Sequence, residues 1–157
     1  MQQMELQKIK RDTMKKRILI AVTLLLLIVV VYVLTPAPLI KDANAIEIYR
    51  VEQYRENGEK VDMVDITDQI DLAALQNYLT TAQCSRVPEW FVPICLADYQ
   101  YEISILCHEP QFHGMNLIHL LLGEKNLVYQ SSDKGGYKIK HGEAITAFLN
   151  AQLENRG

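Results

Sequence analysis

Asp98–Cys107 reads DYQYEISILC. Tyr99, Tyr101, Ile103, Ile105 and Cys107 fall on one face of an extended chain. Gln100, Glu102 and Ser104 fall on the other, His108 continues that polar set, and Leu106 is its one apolar member. Successive side chains of a strand point to opposite sides, so this alternation predicts a strand with one buried face. It is the clearest period-two signal in the chain.

Downstream of it, Pro110 and Gly114 bracket a turn, and MNLIHLLL (115–122) is apolar on both faces. Such a run predicts a central strand covered on both sides. Gly123-Glu124-Lys125-Asn126 turns into LVYQS, and Asp133-Lys134-Gly135-Gly136 turns into YKIK. An amphipathic helix from about Glu143 closes the chain, carrying Ile145, Phe148, Leu149 and Leu153.

Upstream, AIEIYRVEQY is rich in β-branched and aromatic residues and predicts a strand. Asn57-Gly58 is a hairpin turn signal, because both residues tolerate the positive φ of a tight turn. KVDMVDI then returns as a second strand. Thr67-Asp68 offers a helix cap, and Leu72, Leu75, Leu79 and Ala82 recur at helical spacing behind it. The expected order from residue 45 onward is β-β-α-β-β-β-β-α, an α+β domain with an antiparallel sheet and two helices packed on one face.

The charges divide the chain further. The net charge is −3 overall, but residues 1–17 carry +4 and residues 36–157 carry −7, with no charge between. The uncharged piece, ILIAVTLLLLIVVVYVLT (18–35), is long enough as a helix, about 25 Å from Ile18 to Leu34, to approach the ~30 Å hydrocarbon core of a bilayer. A transmembrane signal-anchor is the expectation, with 1–17 a cytoplasmic basic segment, 36–44 a tether and 45–157 an extracytoplasmic domain. Six Lys and Arg precede the span and only Lys41 follows it closely, which places the N-terminus inside. Ala43-Asn44-Ala45 has the small-x-small form of a signal-peptidase site, so a cleaved signal peptide is the competing reading. The length of the apolar run, and the charged Lys41 and Asp42 before that site, weigh against it.

CSRVPEWFVPIC (84–95) lies between the first predicted helix and the long strand. Outside the membrane a disulfide is permitted, and Cys84–Cys95 is the favoured pairing, with Cys95–Cys107 the rival. Trp90, Phe91, Val92 and Ile94, stiffened by Pro88 and Pro93, are candidate contacts for a partner; the alternative is that the two rings fold back over the core. His108, His113 and His119 define a second candidate region for an enzyme or a metal-binding protein, although their spacing matches no zinc pattern. In the 115–122 strand His119 shares a face with Met115, Leu117 and Leu121, which fits a satisfied sheet histidine better than a ligand. Asp62, Asp65, Asp68 and Asp71 lack the glycine and terminal glutamate of a calcium loop and read as turn and cap residues. No nucleophile elbow, metalloprotease motif or phosphate loop occurs. The acidic outer segment argues against nucleic acid.

The ADYQYEISI strand, the NLIHLLLGEKNLVY hairpin and the GGYKIKHGEAITAFL ending resemble small membrane-anchored outer domains of unknown function in Gram-positive bacteria. That resemblance implies an extracytoplasmic α+β module and supplies no catalytic residues or cofactor. The functional expectation is a single-pass membrane protein, held in the lipid bilayer by residues 18–35. Its outer domain binds or senses another envelope component, an envelope protein among the possible partners, and is not an enzyme. An assembly or immunity-type module acting through its membrane helix is the remaining alternative.

Overall fold

The computed structural model describes residues 2–57, 60–87, 99–109, 116–129 and 136–154. The chain forms two compact units, Met1–Thr35 and Pro36–Gly157.

The first unit is one helix, α1 (Gln2–Leu34). Its stretch Met14–Leu34 is long and apolar enough to cross a membrane and is exposed on every side. A helix of this length and composition can act as a membrane anchor or as a signal sequence. The Thr23 hydroxyl donates to the Leu19 carbonyl one turn back at 2.9 Å, so the one hydroxyl in mid-span is satisfied within the helix.

The second unit is α+β. Among the described residues eight strands form one antiparallel sheet in the order β1-β4-β8-β7-β6-β5-β2-β3. Their ranges are β1 Ala37–Pro38, β2 Ile46–Asn57, β3 Lys60–Asp65, β4 Gln83–Cys84, β5 Tyr99–Cys107, β6 Leu117–Gly123, β7 Leu127–Tyr129 and β8 Tyr137–Lys140. Helices α2 (Leu72–Thr81) and α3 (Gly142–Glu154) cover one face. Leu75 and Leu79 of α2 and Ile145 and Leu149 of α3 join Val51, Ile103, Ile105, Ile118, Leu120 and Val128 in one core cluster. The Tyr78 and Phe148 rings meet between the helices with centroids 4.8 Å apart. Each fully buried aliphatic side chain here contributes about 1.5–3 kcal/mol, which makes this face the main source of stability.

Three features depart from the pattern-based expectation. The segment read as a tether is built into the domain: β1 pairs with β4, and Leu39 and Ile40 are buried at 0 % and 2 % exposure. Two-residue strands carry no periodicity, so backbone pairing alone reveals them. Second, a bulge at Gln100, between the Tyr99–Gly123 and Tyr101–Leu122 pairs, shifts the alternation by one residue. Tyr99 therefore leaves the helix side and joins Tyr54, Leu121 and Leu127 in a smaller cluster. That second cluster supplies the cover expected for the other face of 115–122. Third, α2 is capped by Asp71, whose carboxylate accepts from the Ala74 N–H at 3.0 Å, while Thr67–Gln69 is a 3-10 turn. The Thr67 hydroxyl instead accepts from the Val51 N–H at 2.9 Å, tying that turn to β2. Helix α3 begins at Gly142, directly after His141 at φ 62°, and a Cβ on Gly142 would stand 2.5 Å from the Asn126 side chain. This close approach requires glycine at that position.

Candidate functional site

The face of the sheet away from the helices holds a cluster of titratable side chains. Strand alternation and register place them there. Glu102 and Ser104 of β5 lie opposite Glu52 and Arg50 of β2, and Ser104 lies opposite His119 of β6, which lies opposite Tyr129 of β7. Tyr54 of β2 shares that face.

Glu102 is the centre. Its Oε1 lies 2.8 Å from His119 Nδ1 and accepts from the Tyr129 hydroxyl at 3.2 Å. Its other oxygen accepts from the Tyr54 hydroxyl. The His119 ring stacks on Tyr129 with centroids 5.2 Å apart. The Glu102 and His119 side chains keep only 12 % and 14 % of their surface. Burial works to raise the Glu102 carboxyl. The hydrogen bonds from His119, Tyr54 and Tyr129, with the imidazole's charge when it is protonated, outweigh burial and hold it below the usual carboxylate value. Burial and the neighbouring Glu102 both push the Tyr54 and Tyr129 phenols upward, so they stay protonated donors.

Glu52 is the direct cross-strand partner of Glu102 and has a similarly covered side chain, at 14 % exposure. Like charges directly opposite on a sheet are destabilising. Arg50, 3.6 Å from Glu52, compensates that carboxylate, and the hydrogen-bond partners around Glu102 satisfy the other. A second bulge in β2, between Ile48 and Arg50, leaves Tyr49 46 % exposed and close enough to Tyr129 to interact electrostatically with its phenol. Met63 and Leu106 are the other large exposed apolar side chains here, in register with Tyr54 and Glu47. The result is a half-buried polar floor with exposed apolar side chains around it.

Ser104, His119 and Glu102 invite comparison with a nucleophilic triad, but the connectivity differs. Ser104 Oγ at 3.0 Å and Glu102 at 2.8 Å both address the same nitrogen, Nδ1. A triad needs the carboxylate on one ring nitrogen and the hydroxyl on the other, so that the base can accept the serine proton. With Nδ1 turned to Glu102, Ser104 has no free base. The arrangement orients an imidazole; it does not activate a hydroxyl.

The residues singled out from sequence are distributed as follows. His119 is in the cluster. His108 is exposed, 3.6 Å from Glu47, just past the end of β5 and four residues beyond Ser104, the position opposite His119. His113 lies outside the described residues, and no group of three or more metal-ligating side chains occurs among the described ones. Trp90, Phe91, Val92, Ile94 and Cys95 also lie outside the described residues. Cys84 and Cys107 are buried free thiols. Burial pushes Cys84 up to about 12, and its sulfhydryl lies 3.5 Å from the Ala37 carbonyl at the β1–β4 contact. Asp65 and Asp71 act as local caps, on Thr67 and Ala74 respectively.

No family model, no curated protein and no solved structure matches the chain.

Proposed function

We propose that the chain is a single-pass membrane protein whose C-terminal unit stands outside the cytoplasm and binds another envelope component without catalysing a reaction. The contact surface is the face of the sheet opposite α2 and α3, around Tyr49, Glu52, Glu102, His119 and Tyr129. The uncharged apolar helix, with its basic flank on the N-terminal side, supports the membrane placement and the orientation. The likeness to membrane-anchored outer domains of Gram-positive bacteria points the same way.

The observation that carries the binding reading is the Glu102 network. An antiparallel sheet can leave one face to water, and that face is then ordinarily lined with solvated side chains. Here four polar side chains from four strands converge, largely covered, beside an aromatic residue that a bulge leaves exposed. Departures of this kind from local rules concentrate at functional sites. The non-catalytic reading is supported by the shared Nδ1, which denies Ser104 a base. Trp90, Phe91, Val92 and Ile94, a few residues before β5 in the sequence, are candidate contacts for the same partner.

A Tyr49→Cys variant tests orientation and openness together. A thiol reagent that cannot cross membranes is expected to label it in intact cells. Labelling only after lysis overturns the orientation, and no labelling of the folded chain in either case overturns the exposed position of Tyr49.

A further inference from the structure

We propose that the molecule pairs with a second copy of itself through β3, the two strands running antiparallel about a two-fold axis at Met63. The two edges of the sheet are unlike. One ends in β1, two residues long and terminated by Pro38, which has no N–H to donate. The other ends in β3, six residues long and in unbroken register with β2. Among the described residues no strand lies beyond it. Of the devices that blunt an edge it carries charged side chains, in Asp62 and Asp65, but no proline and no bulge, and Met63 stands 57 % exposed on it.

The side chains select the occupant. A two-fold axis perpendicular to the sheet keeps the two faces in common, so only residues on the same face can stand opposite each other. Centred on Met63, the pairing sets Met63 against Met63, Val61 against Asp65 and Asp62 against Val64. No carboxylate then faces another, and each Asp62 keeps Arg55 of its own β2 beside it. Shifting one way sets Asp62 against Asp62, which is destabilising. Shifting the other way sets Met63 against Asp65 and shortens the overlap to Met63–Asp65. One register is therefore preferred, and it closes, because the β1 edge cannot continue the sheet into a fibre. The joined sheet would carry the helices of both copies on one side and both Glu102 clusters on the other.

A six-residue edge buries far less than the ~1,600 Å² of a standard interface, so the pairing depends on copies being held at high local concentration. Anchoring by α1 would supply that concentration, and to this extent the proposal rests on the membrane reading. The register does not depend on it.

The test is disulfide trapping of the full-length chain in membranes. Opposed residues of antiparallel strands have Cα atoms about 4.5–5.5 Å apart, within disulfide reach. Met63→Cys should give a linked dimer on mild oxidation. Differently tagged Val61→Cys and Asp65→Cys chains, expressed together, should link to each other and far less to themselves. Leu106→Cys, exposed on the same face but away from the edge, should stay at the level of wild type, whose native cysteines set the background. Adding Met63→Arg to the Val61/Asp65 pair should reduce trapping at least tenfold, with circular dichroism confirming that the exposed substitution leaves the fold intact. The proposal is overturned if Met63→Cys links no better than Leu106→Cys. It is also overturned if Met63→Arg changes nothing while the chain stays folded. Linkage of position 63 only to a different protein, such as one offering a basic extended segment, equally overturns it.

Discussion

At Glu102 a carboxylate is held largely out of water by three hydrogen-bond donors from three other strands. A buried acceptor left without partners costs about 1–3 kcal/mol, so the network keeps its form only while all its members are present. Because folding lowers the Glu102 pKa, its ionised form contributes stability above the ordinary carboxylate range. That contribution is lost as pH falls from this range through the lower folded value. Glu102→Gln should therefore destabilise the domain by about 1–3 kcal/mol at pH 7 and make its stability fall less steeply below pH ~4. Thermal unfolding midpoints from pH 7 to pH 3 check both effects. Half of this site was legible in the sequence. Alternation placed Glu102 with Ser104 on one face of their strand and put His119 on a face with Leu117 and Leu121. What it could not supply was register, which alone brings Ser104 opposite His119 and Glu52 opposite Glu102. Tyr54 and Tyr129 were missed because a tyrosine in a strand reads as core until its hydroxyl has an address.

The long elements follow their patterns, and the short or irregular ones do not. β8 coincides with YKIK, and α2 and α3 bury the stripes their spacing marked out. The bulge at Gln100 is a one-residue event that no period detects, yet it moves Tyr99 to the opposite face. The two-residue strands β1 and β4 are set by long-range pairing, with Leu39 N–H bonded to the Ala82 carbonyl at 2.9 Å. If 39–40 were a free tether, shortening a side chain there would cost nothing. Because Leu39 is fully buried in the main cluster, Leu39→Ala should instead cost about 2–5 kcal/mol, read by chemical denaturation of the domain.

On the scale of the whole molecule, charge and hydropathy divide the chain into a basic start, an apolar helix and an acidic α+β unit. That division was open to inspection in the sequence because membrane crossing depends on length and composition, which need no tertiary contacts. The proposed binding surface was not, because it is assembled from β2, β5, β6 and β7, strands spread over some eighty residues. The central claim is that the face of the sheet opposite the helices, outside the membrane, meets another envelope component. Site-specific photo-crosslinking in intact cells tests it most directly, with the reactive side chain at Tyr49 on that face or at Asn77, exposed on α2, as the control. Position 49 is expected to capture a small, reproducible set of envelope components that position 77 does not, and Glu102→Gln should diminish the capture. No adduct from position 49, or the same adducts from both positions, would contradict the account.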